Sequence, residues 1–411
     1  MITNFETLYS NSKADKNRYE RLHNEFKAFY GKKNNTSFFS SPGRSEIGGN
    51  HTDHNRGKVL AAAINLDIIA EAAANNSDVI RLKSFEYNKI DIIDISEKNK
   101  KDSEIGRSAS LIRGICSKCI DMGYKVGGFD AFTVSKVLKG SGLSSSAAFE
   151  TLVVTIINHL FNDDKITPIE AAKIAQYAEN NYYGKPSGLM DQTACALGGF
   201  MKIDFADPYE PTVESINMNL SEEGYSLCIV DIGDKHSNKN NEYASIPDEM
   251  KSVALYLGCG YLSQADEEEF YAKLSSIRSH CGDRAVLRAI HFFNENKRVD
   301  AQANALMNRD MESFLSLVRE SGESSLSCLQ NIYSEGNPKS QGLGIALSLS
   351  KQILGNNGAY RVHGGGFGGT MQAFVPEDFV NSYKSKIEAV FGIGSCHNLC
   401  VRPIGSCKVE L

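Results

Sequence analysis

The chain has 411 residues, of which 41% are hydrophobic and 23% charged, and it carries a net charge of -6 at pH 7. That length favours two packed domains over one, and the acidic balance argues against a nucleic-acid binder, which presents a basic face. No apolar run approaches the ~20 residues needed to span a bilayer, and the N-terminus, Met1-Ile-Thr-Asn-Phe-Glu, lacks a basic-then-apolar leader, so a cytoplasmic protein is expected.

Glu20 to Tyr30 reads as a short amphipathic helix. Strand-like runs follow at Val59–Ile69, Val79–Phe85 and Ile90–Ile95, separated by polar turns. Ser103 to Met122 predicts a helix. Cys116-x-x-Cys119 within it is half of a zinc knuckle, without a second pair of matching spacing. Ile115, Cys116 and Cys119 share an apolar face there, and the ten cysteines read as reduced thiols in a reducing compartment. A strand over Gly127–Val137 runs into a glycine- and serine-rich loop, followed by helices at Ala147–Leu160, Pro168–Tyr182 and Met190–Leu197 and a strand at Phe200–Phe205. Asp207 to Glu223 is polar and without period, and is expected to cross between domains 1–215 and 216–411. Beyond it come a strand (Tyr225–Ile232), a helix-rich region and a strand-turn-strand with Gly364-Gly-Gly-Phe-Gly-Gly369 at the turn. A helix (Asp378–Phe391) and one last strand (Cys400–Leu411) end the chain. Strands and helices without regular βαβ alternation point to an α+β fold.

Four clusters carry chemistry. Leu138-Lys-Gly-Ser-Gly-Leu-Ser-Ser-Ser-Ala-Ala148 places glycines and serines just before a helix. Backbone N–H groups there sit at the positive end of the helix dipole and cradle anions. Gly364–Gly369 has five glycines in six residues, more than a tight hairpin needs, which suggests a surface closing on a ligand. Ser41 to His54 gathers an arginine, two histidines, an aspartate and an amide among three glycines, a set suited to a polar ligand or to a solvated turn. Gly188-Leu-Met-Asp-Gln192 sets Asp191 in small, apolar company, as a helix cap or as a buried functional acid.

Together these residues resemble the GHMP small-molecule kinases, and within them the galactokinases. Ser41–His54 resembles the sugar signature, Gly140–Ala148 the phosphate loop, Ala178-Glu179 and Gly188–Gln192 the acidic segments, Asn241-Glu-Tyr243 a pocket tyrosine, and Gly364–Gly369 the last family motif. The resemblance implies two α+β domains with the active site in the cleft between them. It implies that Asp191 orients and deprotonates the sugar's anomeric hydroxyl, with Arg44 keeping it ionised and stabilising the moving phosphoryl group. It gives the sugar pocket to Arg44, Asn50, His51, Asp53, Gly188, Asp191 and Tyr243. It gives the ATP phosphates to Gly140, Ser141, Gly142, Leu143, Ser144, Ser145 and Ser146, and Mg²⁺ to Ser146 and Glu179. A small sugar and ATP are the partners, with no nucleic acid or membrane, and a monomer is expected.

Two positions depart from the signature, which commonly reads Gly-Arg-x-Asn-Leu-Ile-Gly-Glu-His. Asn50 stands where the acidic residue contacts the sugar's C6 hydroxyl, and His54 where a tyrosine is usual; Glu46 either restores the acidic contact or faces solvent. Asparagine still fits a hydroxyl, and the lost charge lessens repulsion of a C6 carboxylate. The expectation is therefore a galactose 1-kinase. The alternatives are a kinase for galacturonate or N-acetylgalactosamine and, in another class, a non-catalytic sugar sensor.

Overall fold

The structure is a computed structural model, and it describes all residues except 10–11, 139–141, 186, 208–209, 234–239 and 335–337, together with all but the side chain of residue 240. A short strand β1 (Ile2–Asn4), a short helix α1 (Phe5–Tyr9) and a long helix α2 (Lys13–Tyr30) open the chain. Two long strands follow, β2 (Ser37–Gly48) and β3 (Lys58–Ala74), then a hairpin of β4 (Val79–Ser84) and β5 (Ile90–Asp94). Next come α3 (Ser108–Asp121), β6 (Phe129–Ser135), α4 (Ser145–Phe161), α5 (Pro168–Ala178), α6 (Met190–Leu197), β7 (Phe200–Asp204) and β8 (Thr212–Ile216). After β9 (Tyr225–Asp231) a helical array runs through α7 (Asn240–Tyr256), α8 (Glu267–Ala272), α9 (Leu274–Cys281), α10 (Asp283–Met307), α11 (Met311–Ser324) and α12 (Gly342–Leu354). The chain closes with β10 (Ala359–His363), β11 (Thr370–Pro376), α13 (Val380–Phe391), β12 (Cys396–Leu399) and β13 (Cys407–Glu410).

The large sheet has the order β1-β13-β2-β3-β6-β4-β5, with β7 paired to β3 and β8 to β7. Strand β3 holds it together. Its first residues pair with β7, its last with β6, and β2 runs along its other edge. Its near-continuous apolar sequence suits a strand covered on both faces, and its alanines let α4 and α6 pack close. The smaller sheet, β10-β11-β9-β12, is antiparallel. Helix α5 starts on a capping box between Thr167 and Glu170 with Pro168 in the first turn. Cys116 and Cys119 face the apolar core from α3. Among the described residues no helix is long and apolar enough to cross a membrane.

Three sequence expectations need correction. Strand β2 replaces a presumed turn: it carries Arg44 and Glu46, and its register shifts between Pro42 and Arg44 and again between Glu46 and Gly48. Such bulges re-aim side chains next to a site. The stretch Asp207–Glu223 is not all crossing, because β8 lies within it and extends the large sheet beside β7. The final strand is shorter than Cys400–Leu411: within that run only β13 forms, pairing with β1 and β2, while β12 precedes it and pairs with β9. Pro403 and Gly405 separate them.

The chain ends are tied together at one buried acid. Asp67 is fully buried on β3 and accepts from Arg18 (2.5 Å), Arg402 (3.2 Å) and Ser40 (2.6 Å), and also from Tyr9. Burial pushes its carboxyl up, but the two guanidiniums and the hydroxyl bonds outweigh that and hold it below the ordinary value. A depressed carboxyl stabilises the fold above the unfolded-state pKa, and that contribution is lost as pH falls through the folded-state value. Asp67→Asn is expected to cost about 3–5 kcal/mol at pH 7, since it leaves two buried guanidiniums without their counter-charge. Urea unfolding measures this, and the gap from wild type should narrow in acid.

Candidate active site

Arg44 projects from the first bulge of β2. Its Nε donates to Asp191 Oδ1 at 2.7 Å, its Nη2 to Asp191 Oδ2 at 2.6 Å, and its Nη1 to the carbonyl of Gly142. Asp191 lies in the first turn of α6 and also accepts from Ser144 Oγ at 2.6 Å. One strand, one helix and the glycine-serine loop thus meet at a single carboxylate. Burial pushes the Asp191 carboxyl up, yet Arg44, through charge and hydrogen bonds, and then Ser144 outweigh it and bring it down to about 2. It is a fixed negative charge at any physiological pH.

The described part of the loop is locked to β2. The Leu143 carbonyl accepts from the Arg44 backbone N–H at 3.1 Å, and the Leu143 side chain is buried in the core. Ser144 adopts a left-handed conformation and starts α4 without a side-chain cap. The first-turn N–H groups of a helix have no acceptor within the helix, so here they remain for an anion. Gly140 and Ser141, expected to belong to this loop, lie outside the described residues.

A cavity of about 540 Å³ opens beside Asp191, and its wall includes Arg44, Glu46, His51, Asp53, Gly188 and Tyr243. Gly188 is required by a close approach: a Cβ there would stand 2.4 Å from Asp53 Oδ2. Gly365 is required likewise, because its Cβ would meet the Tyr243 ring at 2.5 Å. Tyr243, on α7, stacks near His51 with ring centres 5.1 Å apart, and its hydroxyl lies 3.2 Å from His54 Nε2. His51 Nε2 lies 3.1 Å from the Gly365 carbonyl. Burial, with His54 adding to it, lowers the His51 pKa to about 3 and keeps the ring neutral. The second glycine cluster therefore closes on the Ser41–His54 segment and Tyr243.

Asn50 is placed differently from the expected sugar contact. It is fully buried behind the wall, donating to Glu46 Oε1 (2.9 Å) and the Gly364 carbonyl (2.7 Å) and accepting from Asn331 (2.8 Å). Glu46 lines the cavity in its place and forms an ion pair with Arg361 at 2.8 Å. Burial pushes the Glu46 carboxyl above its ordinary value, against the pull of Arg361 and Asn50.

On the other side of the α4 N-terminus, Ser146 donates to Glu179 Oε1 at 3.0 Å. Glu179 also accepts from Lys185 (2.9 Å), Ser187 (2.6 Å) and Gln192 (2.9 Å). Adjacent to it is a second cavity, of about 370 Å³, bounded by Ser145 and Ser146 and by Ile68, Leu111, Phe149 and Tyr183. Sequence reading missed this cavity, and it missed Lys185, Ser187 and Gln192. Only the position of the last, directly after Asp191, carried a signal.

This fold is shared with solved kinases. The crystal structure of Lactococcus lactis galactokinase complexed with galactose matches with a TM-score of 0.81 at 24% identity, covering 95% of this chain and 99% of that one. The Methanococcus jannaschii mevalonate kinase matches at 0.64 with 17% identity, over 90% of this chain and 99% of that one. The model for the GHMP kinases N-terminal domain covers residues 110–199, and the protein has the two-domain α+β fold of GHMP kinases. The galactokinase galactose-binding signature matches residues 24–74. A curated galactokinase from Clostridium tetani is 31% identical over 384 residues, 89% of this chain and 90% of the relative. One from Lactococcus lactis is 28% identical over 400 residues, 95% and 96% of the two chains. The chain belongs to the galactokinase family.

The Arg44–Asp191 pair is mostly buried, with side-chain exposures of 9% and 18%. Arg44→Gln is expected to cost roughly 3 kcal/mol because Asp191 keeps its charge with Ser144 alone. In a double-mutant cycle, Arg44→Gln with Asp191→Asn should lose less than the sum of the singles by more than about 1 kcal/mol. Additive losses in urea unfolding would contradict the direct coupling.

Proposed function

We propose that the chain transfers the terminal phosphoryl group of ATP to the anomeric hydroxyl of D-galactose, giving α-D-galactose 1-phosphate and ADP. The observation that carries this reading is the Asp191 carboxylate, clamped by Arg44 and Ser144 between a polar cavity and an uncapped helix N-terminus. The polar cavity suits a hexose, with Asp53, His51 and Tyr243 as hydroxyl partners. The cavity beyond Ser145 and Ser146, apolar on one side, suits the adenosine of ATP. Gly140 to Ser146 and the first turn of α4 hold the phosphates between them. Residues 1–215 and 216–411 serve as the two lobes, with β13 returning to the first.

Phosphoryl transfer needs alignment and charge neutralisation more than covalent help. The anomeric oxygen attacks the γ-phosphorus, the bond to the β–γ bridging oxygen breaks, and the hydroxyl proton passes to Asp191. A carboxyl held near 2 is a weak base, so Asp191 acts first by orienting the hydroxyl and accepts the proton only as the new bond forms. Arg44 neutralises Asp191 and faces the charge that builds on the phosphoryl oxygens. Ser146 and Glu179 are hard oxygen donors in contact, and together with ATP oxygens they fit Mg²⁺. When bound, the ion neutralises phosphate charge. Both cavities are complete within one chain, which fits a working monomer, and ten free cysteines fit the cytoplasm.

Release of ADP on addition of galactose, followed in a coupled assay, tests the reading. Asp191→Asn keeps the shape and removes the charge. It should lower kcat at least ~100-fold, about 2.7 kcal/mol of transition-state stabilisation, with ATP affinity within threefold of wild type. Retention of a tenth of the rate would remove Asp191 from the mechanism. Gly188→Ala should displace the Asp53 carboxylate and raise KM for galactose at least tenfold while KM for ATP holds; equal changes in both would place Asp53 outside the sugar site.

A further inference from the structure

The charge balance of the polar cavity constrains what enters it. Arg44 spends its guanidinium on Asp191 and the Gly142 carbonyl. Lys185 is paired with Glu179, and His51 is neutral. Among the described residues of the wall, the carboxylates of Glu46 and Asp53 remain as acceptors, no lysine or arginine is left unpaired to receive an anionic sugar, and His54 is engaged by the Tyr243 hydroxyl at 3.2 Å and lies 3.9 Å from Asp53.

Glu46 is held by one oxygen. Its Oε1 accepts from Asn50 Nδ2 at 2.9 Å and from Arg361 Nη2 at 2.8 Å. Arg361 is fully buried and also donates to the Ile47 carbonyl at 2.9 Å, so its fork is fixed from behind. The Asn50 amide is fixed too, through the Gly364 carbonyl and Asn331. The described residues place no donor on Glu46 Oε2, and that oxygen is left to the cavity. A carboxylate anchored by one oxygen and open at the other reads a hydroxyl well, because the rotamer is set before the ligand arrives.

We propose that Glu46 is the specificity-determining residue of this cavity, its open carboxylate oxygen accepting a hydrogen bond from a hydroxyl of a neutral hexose and rejecting a hexuronate. The inference rests on the galactose-kinase reading and decides between two of its substrates. A hexuronate brings a second carboxylate against Glu46 and Asp53 with no free cation to offset it, and like charges at close range in a desolvated site strongly disfavour joint ionisation. Asn50 serves as the bracket that holds Glu46, not as the reader.

The test compares kcat/KM for D-galactose and D-galacturonate at pH 8 in wild type and Glu46→Gln. Wild type should prefer galactose by at least a hundredfold. In Glu46→Gln the amide oxygen can still accept from Arg361 and Asn50 while the NH₂ faces the cavity, so the preference should shrink at least tenfold, mostly through KM for galacturonate. A preference within twofold of wild type overturns the inference. If the variant does not fold, wild type alone decides: equal turnover of the two sugars overturns the inference and leaves the kinase reading intact. Turnover of neither galactose nor galacturonate overturns the kinase reading, and the inference falls with it.

Discussion

Two parallel hydrogen bonds between Arg44 and Asp191 organise this site. They cross from β2 to α6, and the third nitrogen of the same guanidinium grips the glycine-serine loop through Gly142. A planar fork is suited to this, since it can satisfy a carboxylate and a carbonyl in one plane. The result is that the anion-binding loop, the acid and the strand that carries the sugar signature keep one geometry. Lysine at 44 would supply the charge without the fork and would lose the side-chain bond to the Gly142 carbonyl, leaving only the backbone tie to Leu143. The same pair settles the protonation state of Asp191, so the site does not depend on ambient pH to present a carboxylate.

Much of this was legible in the chain because the chemistry-bearing residues sit in short local clusters. The loop before α4, Asp191 beside small residues and the Ser41–His54 segment could be picked out by residue type alone. Helix α4 and the strands β4 and β5 followed from period and turn residues. Strand β2 did not, because a strand that carries Pro42, Gly43, Arg44 and Glu46 reads as a turn; it is a strand because β3 and β13 flank it and two bulges absorb its irregular residues. The second cavity, beyond Ser145 and Ser146, was hidden for another reason. Ile68, Leu111, Phe149 and Tyr183 come from four distant segments, and each alone looks like ordinary core. Asn50 lies in the turn after β2 and is fully buried, held by Glu46, Gly364 and Asn331, and residue type alone does not report that burial.

The acids beneath the α4 N-terminus show how one chemical group can be given different partners. Glu150 and Glu179 are both buried, and Gln192 donates to each. Burial first, and then repulsion from Glu179, pushes the Glu150 carboxyl well above its ordinary value. Glu179 is the one that gathers donors, from Ser146, Lys185, Ser187 and Gln192. Hydrogen-bond donors are thereby concentrated on Glu179, while Glu150 accepts one bond from Gln192. Two ionised carboxylates at this depth would repel each other.

Three histidines join the signature segment to the second half of the chain without adding charge. His291 on α10 bonds the Asn50 carbonyl at 3.0 Å, His51 faces the Gly365 carbonyl, and His363 spans Ser45 and Thr370 at 3.1 and 3.0 Å. Burial lowers all three below the ordinary imidazole value, to about 3 for His51. Had they titrated near neutrality, each proton would have placed a cation next to Glu46 or beneath the phosphate loop and altered both affinity and discrimination with pH. His291 and His363 each bridge two partners through both ring nitrogens, while His51 bonds through Nε2 alone. The cavity-lining carboxylates are therefore positioned from the second half of the chain, while the charge balance of the cavity is left to Glu46, Asp53 and the Arg44–Asp191 pair.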